Sequence, residues 1–170
     1  MVNTAITQAV HEGKDKAGMA DFDYARDRLM MGIERKKLTM TEKNRLETAI
    51  HEAGHATTAY FTPGAQKLYK ATIVSRGGSL GATYFEPGSD ISQNKRKTLA
   101  MIDSAMGGHV AEKLFIGDNK VTSGCSGDFQ GLTDMAYSAV LGFGMFGEDI
   151  GYMSEDFKKL SEEMKAKVDN

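Results

Sequence analysis

Between Thr39 and Pro63 the chain has few ways to fold other than as one long helix. Thr39 followed three residues on by Glu42 has the form of a capping box, which covers the first free N–H groups of a helix. Pro63-Gly64 cannot continue a helix, so the segment ends near Phe61. Leu46, Ile50, Ala53, Gly54 and Ala56 give it an inner face of mostly small apolar residues. Its second half carries His51-Glu52-Ala53-Gly54-His55. Histidines four apart lie one turn apart on one face, where both imidazoles can reach a single zinc ion. Glu52 leans toward the open side of such a site, where it can take a proton from a water the metal activates. Gly54 and the neighbouring alanines let other backbone approach closely.

A catalytic zinc takes three protein donors and leaves one position open. The extended pattern with a third histidine six residues after His55 is absent, because that position is Phe61. The next acidic residue after His55 is Glu86, so no carboxylate follows at close range. The third donor comes from farther along the chain, and Glu112, Asp128 and His109 are the candidates. Spacing does not choose among them.

The bulk properties exclude several functions. At 170 residues the chain suits one domain, or one domain plus a fragment. It is 41% hydrophobic and 26% charged, enough to bury a core. A net charge of −2 points to neither nucleic acid nor an anionic membrane surface. The single cysteine, Cys125, allows no internal disulfide. No His–Asp partnering is evident around it, so it reads as a small loop residue and not a nucleophile. No apolar run approaches the roughly 18–20 residues that span a bilayer, and the first residues do not form a signal peptide. Eleven methionines, two prolines and no tryptophan lean helical, with the methionines as core filler.

The pattern along the chain predicts a mainly α fold with a small β-hairpin, an α+β arrangement. Residues 2–12 read as a short helix, and Asp21 as the N-cap of a helix over Phe22–Met31 stopped by Gly32. Glu34-Arg35-Lys36-Lys37 is a charged linker. Leu68–Val74 and Leu80–Phe85 read as paired strands around a Gly77-Gly78 turn, followed by a loop over Glu86–Asp90. Ser92 caps a helix to about Phe115, in which Gly107-Gly108 signals close packing or a break. Residues 117–127 form a polar loop, and a helix covers Asp128–Leu141. Thr122–Gly127 is no phosphate cradle, since no strand feeds it and no lysine follows. Ser154 caps a last helix with Phe157, Leu160, Met164 and Val168 on one stripe, which reaches Asn170 without a stop signal. The strand Leu80–Phe85 offers an edge to which a peptide can add, with Gly77, Gly78, Leu80, Gly81 and Thr83 at the contact.

From Gly32 onward the sequence resembles the peptidase domain of the FtsH-type, AAA-linked zinc proteases. The residues that carry the resemblance are Ala49 through Ala56, Lys70-Ala71-Thr72-Ile73, Leu80-Gly81-Ala82-Thr83, Met106 through Glu112, Thr122 through Asp128, and Gly144-Met145. Leu68 through Ile73 and the cysteine after Thr122-Ser123-Gly124 are most similar to the mitochondrial i-AAA branch. Met19 through Gly32 resembles the last lid helix of the family's AAA module. The resemblance divides the chain into a lid remnant and linker over residues 1–32 and a zinc peptidase domain over residues 33–170, and implies an excised piece that is cut short after Asn170.

The same resemblance selects Asp128 as the third zinc donor beside His51 and His55. It leaves Glu112 to orient an imidazole N–H from behind. His109 stands where relatives carry Arg or Lys, so it becomes a packing or surface residue. Glu52 is then the general base of a metalloendopeptidase acting on unfolded or membrane-associated polypeptides. The family works as a homo-hexamer whose ATPase ring unfolds and feeds substrate, anchored by membrane segments not found here. ATP belongs to the full-length protein, since no G-x-x-x-x-G-K-[ST] occurs in this chain. The i-AAA branch places the peptidase in the intermembrane space at the mitochondrial inner membrane; a bacterial relative would face the cytosol at the plasma membrane. The alternatives are an isolated piece that is catalytically inert, or a zinc-stabilised interaction scaffold.

Overall fold

Two long helices decide where everything else sits. The computed structural model describes residues 1–170 apart from 36–38, 77, 89–91, 152–155 and 170. In it, α3 (Glu42–Phe61) and α4 (Lys95–Phe115) pack along their lengths. His51 meets Glu112 and His55 meets Ser104, so the pair runs antiparallel. Glycine permits the approach. A Cβ on Gly54 would lie 2.3 Å from the Gly107 carbonyl oxygen, and one on Gly107 would lie 2.6 Å from the Gly54 carbonyl oxygen. Gly107-Gly108 therefore marks close packing within an unbroken helix. The buried stripe of α4, with Thr98, Ala100, Ser104, Ala111 and Glu112, follows the same face.

The helix ends differ from the sequence reading by a few residues. The cap of α3 is Thr41, whose hydroxyl accepts from the Asn44 N–H at 3.1 Å, in place of Thr39. Asn94 caps α4 in the same way, accepting from the Lys97 N–H at 3.0 Å, in place of Ser92. Asn and Ser are close rivals as caps, and Thr39 and Thr41 are the same residue type, so residue preference does not separate them. Ahead of them, α1 (Val2–His11) and α2 (Met19–Met31) form a helical hairpin around Ala5, Ala9 and Ala25. Asp21 is inside α2 and not its cap. It accepts from the Gly18 N–H at 2.8 Å and from Lys14 at 2.9 Å. Gly32 ends α2 with φ at +82°, a conformation that favours glycine.

Strands β1 (Leu68–Thr72) and β2 (Ala82–Phe85) pair antiparallel, with Leu68 opposite Phe85 and Ala71 opposite Thr83, and a bulge between Leu68 and Lys70. Both are shorter than their patterns suggested. Strand β1 is tied to α2. Asp27 accepts from Lys70 and, at 3.0 Å, from the Tyr69 hydroxyl, while Arg26 donates to that hydroxyl at 2.7 Å and lies over the ring. After α4, short 3-10 turns at Asp118–Lys120 and Ser123–Cys125 lead into α5 (Ser126–Tyr137), which closes in a π-helical turn at Ser138–Gly142. That helix starts two residues before Asp128. The chain ends in α6 (Gly147–Ile150), a 3-10 turn at Phe157–Lys159, and α7 (Glu162–Asp169). The last helix is shorter than expected, and its anticipated cap Ser154 lies outside the described residues, as do Gly77, Lys36-Lys37, Ser89, Asp90 and Asn170. Among the described methionines only Met31 is buried, while Met19 is exposed, so core filling is not their general role. No helix among the described residues is long and apolar enough to cross a membrane.

Candidate metal centre

One turn of α3 sets the His51 and His55 rings edge to face, with their Nε2 atoms 3.0 Å apart. Asp128, in the first turn of α5, brings Oδ2 to 3.2 Å from His51 Nε2 and 3.4 Å from His55 Nε2. The floor beneath is bare backbone: a Cβ on Gly108 would lie 2.5 Å from His55 Nε2 and 2.7 Å from the His51 ring.

The far side of each ring shows where the protons sit. His51 Nδ1 lies 2.8 Å from Glu112 Oε1. Burial pushes the Glu112 carboxyl up, but the Thr122 N–H and hydroxyl, His51 and the Cys125 thiol outweigh it and hold the group ionised below the usual range. His55 Nδ1 lies 2.9 Å from the Ser104 carbonyl oxygen, which can only accept; the Gly108 N–H approaches the same nitrogen at the longer distance of 3.3 Å. Both Nδ1 atoms therefore carry hydrogen, and in the neutral rings both Nε2 atoms present lone pairs. Asp128 Oδ2 joins them, buried and without a hydrogen bond.

Three proton-free donors crowded together repel unless a cation or protons enter between them. A tetrahedral zinc with donors about 2.0–2.1 Å away spaces them about 3.3–3.4 Å apart. The N,N,O donor set and its 3.0–3.4 Å edges fit that ion. The same crowding acts on protons in the metal-free chain. Asp128 raises the proton affinity of His51 over the opposing effect of burial. At His55 burial pulls the other way, and Asp128 with the Ser104 carbonyl overcomes it. Burial pushes Asp128 up, yet the two histidines hold it well below the usual carboxylate range.

Glu52 turns into a cavity of about 550 Å³ shared with His51, His55 and Asp128. Burial raises its proton affinity, against Thr83 and the two histidines. The Thr83 hydroxyl lies 2.7 Å from Glu52 Oε2 and 3.1 Å from the Glu52 carbonyl oxygen. Phe85, Met101, Ile102, Ala105, Leu132 and Met135 give the cavity apolar walls.

The other residues singled out in the sequence are spread around this centre. His109 is directed elsewhere, against the Phe129 ring at 5.0 Å. Leu80 and Gly81 line a second cavity, of about 350 Å³, that also reaches His51 and Glu52. A Cβ on Gly81 would meet Thr48 Cγ2 at 2.6 Å and Glu52 Cγ at 3.0 Å, so α3 itself requires glycine there. Gly78 is exposed, with nothing near its Cβ position. Cys125 does have partners, contrary to the sequence reading. Its Sγ lies 3.5 Å from Glu112 Oε1 and 3.8 Å from His51 Nδ1. Burial, then Glu112, push the thiol up to about 12, so it stays protonated and donates to the carboxylate. Sequence reasoning also missed Ser104, which acts through a backbone carbonyl that carries no side-chain signal, and Thr122, which reaches Glu112 through both its backbone N–H and its hydroxyl.

A helix-borne pair of imidazoles, a carboxylate from a later helix and a buried glutamate beside them are the parts of a helical metallopeptidase. Residues 38–170 match the profile of Peptidase family M41. The chain is 40% identical over 173 aligned positions to the mitochondrial inner membrane i-AAA protease supercomplex subunit YME1 of Saccharomyces cerevisiae, covering 100% of this chain and 23% of that protein. It is 38% identical over 171 positions to the ATP-dependent zinc metalloprotease YME1L1 of Homo sapiens, with 99% of this chain and 22% of that one aligned. The ATP-dependent zinc metalloprotease FtsH of Myxococcus xanthus is 36% identical over 183 positions, 99% of this chain and 28% of its own. The chain belongs to peptidase family M41, the FtsH-type zinc metalloproteases, on the YME1 side of that family. It spans about a quarter of the length of these curated relatives.

Proposed function

We propose that this chain is the zinc endopeptidase part of an ATP-dependent, membrane-anchored protease, with residues 1–32 the end of an ATPase lid and its linker and residues 33–170 the peptidase. The observation that carries the reading is the triangle of two imidazole Nε2 atoms and a carboxylate oxygen, 3.0–3.4 Å apart, beside a buried glutamate. His51, His55 and Asp128 would hold the zinc, and Glu112 and the Ser104 carbonyl fix the rings from behind. Zinc, when bound, supplies a Lewis acid that polarises water and the scissile carbonyl. Glu52 accepts the proton from the attacking water and delivers it to the leaving amine. Its burial suits that role, because a carboxylate with raised proton affinity is a stronger base near neutral pH.

The substrate is an extended polypeptide that pairs along the edge of β2 and is read mainly through its backbone. Gly78, Leu80 and Gly81 lead into that strand and Thr83 lies on it, and the apolar cavity accepts a side chain next to the cleaved bond. An edge read this way suits unfolded or membrane-associated proteins of many sequences, delivered by the ATPase ring of a homo-hexamer. The similarity to YME1 supports a place at the mitochondrial inner membrane; the intermembrane space as the side that holds the peptidase is part of the proposal.

Elemental analysis tests the site. Wild type should carry about one zinc per chain and Asp128→Ala much less; full zinc in the variant would move the third donor to another residue. Glu52→Gln should keep its zinc and lose about a hundredfold or more of its peptide cleavage. Undiminished cleavage would remove Glu52 as the base.

A further inference from the structure

We infer that Thr83 is a positioning residue for this reaction, holding the Glu52 carboxylate by one oxygen and tying it to the strand that receives substrate. The inference rests on Glu52 acting as the base proposed above. A glutamate has three rotatable bonds, and a base must present its oxygen to water within a narrow range of distance and direction. Among the described residues, the Thr83 hydroxyl makes the one side-chain hydrogen bond to this carboxylate, 2.7 Å to Oε2. Oε1 is thereby left for the proton. The same hydroxyl oxygen is 3.1 Å from the Glu52 main-chain carbonyl, so it sits against both ends of the residue.

The setting makes Thr83 stiff. Threonine is β-branched and has few side-chain rotamers in a strand. Thr83 is opposite Ala71 in the β1–β2 ladder, which fixes its backbone. Thr83 and Phe85 are two apart on one face of β2, Gly81 immediately precedes the strand, and all three line the cavity of the metal centre. Gly81 clears the space below Glu52, Thr83 grips its carboxylate, and Phe85 closes the wall. The hydroxyl is thus turned to Glu52, and the contact of Thr83 with substrate is through its main chain. A peptide that pairs with the strand orders the same segment that holds the base.

The test compares Thr83→Val, Thr83→Ser and Glu52→Gln in the zinc-reconstituted chain, reading zinc content, kcat and KM on an unstructured fluorogenic peptide, and the crystal structures of wild type and Thr83→Val. Thr83→Val should keep its zinc and KM and lose about a hundredfold in kcat, with the Glu52 carboxylate spread over several orientations. Thr83→Ser should recover most of the rate. A wild-type kcat in Thr83→Val, equal losses in the Val and Ser variants, loss of zinc in Thr83→Val, or an unmoved Glu52 in its crystal structure would each overturn the inference. Where peptide turnover is too slow to measure, the position of Glu52 in the two crystal structures decides. Full turnover in Glu52→Gln would overturn the base itself, and is read in a different variant.

Discussion

Glu112 is the residue on which most of the centre's second layer depends. It is 1% exposed and receives the His51 Nδ1–H, the Thr122 N–H and hydroxyl, and the Cys125 thiol. A buried carboxylate is costly unless such donors surround it, and here they do. In the proposed site its charge would strengthen His51 as a zinc donor and fix which nitrogen faces the ion. Glu112→Gln keeps the shape and removes the charge, so zinc affinity should fall by about ten- to a hundredfold, measured by competition with a chromogenic chelator. Cys125→Ser, which keeps a donor to the same oxygen, should leave affinity nearly unchanged. An unaltered affinity in Glu112→Gln would mean that its hydrogen bond to His51 does not tune the metal.

At the scale of elements, the α3–α4 contact sets two effects against each other. Replacing a mid-helix glycine by alanine ordinarily gains about 0.5–1 kcal/mol, because the unfolded chain loses freedom. At Gly54 the new Cβ would be driven to 2.3 Å from a main-chain oxygen that cannot move aside without the helix. Overpacking of that kind costs about 1–3 kcal/mol or more. Gly54→Ala should therefore destabilise, while Gly131→Ala in α5, where nothing lies within 4 Å of the Cβ position, should stabilise by about 0.5–1 kcal/mol. Urea unfolding of the two variants checks the opposite signs.

What could be read from the sequence divides along the same line. α3 was readable because a threonine cap, a small apolar stripe and Pro63-Gly64 agree over twenty residues. The hairpin was readable from alternation around a glycine pair. Two corners of the candidate triangle, His51 and His55, were readable because both lie on one helix. The third corner was not readable from spacing, since Asp128 comes beside His55 only after α4 has reversed the chain and a 3-10 turn has aimed α5. Cap positions slipped because threonine, serine and asparagine neighbour one another and differ little in preference. The partners of Cys125 depend wholly on that tertiary closure.

Across the whole molecule, acid should act through buried carboxylates outside the donor triangle as well as through Asp128 and Glu112 within the site. Lys14 and the Gly18 N–H hold Asp21 below its ordinary value. At Asp27 burial opposes, and Lys70 and Tyr69 prevail. A depressed folded value means that the stabilisation is complete above the unfolded value, near pH 4, and is lost as pH falls through the folded one. Both groups act in the same direction, so the urea midpoint should drop between pH 5 and pH 3 and drop less in Asp21→Asn; an equal drop would place the acid sensitivity elsewhere. Both carboxylates also mark where α2 joins its neighbours, Asp21 to the turn after α1 and Asp27 to β1. The bare helix under the imidazoles has a different consequence, for what the chain can become. Because the rings rest on the main chain at Gly108, and Gly107 one residue earlier meets the backbone of α3, the donor spacing is set by how closely two main chains approach. The cavity walls are free to drift through many apolar residues and acquire new tastes for side chains, while the floor admits no side chain at all.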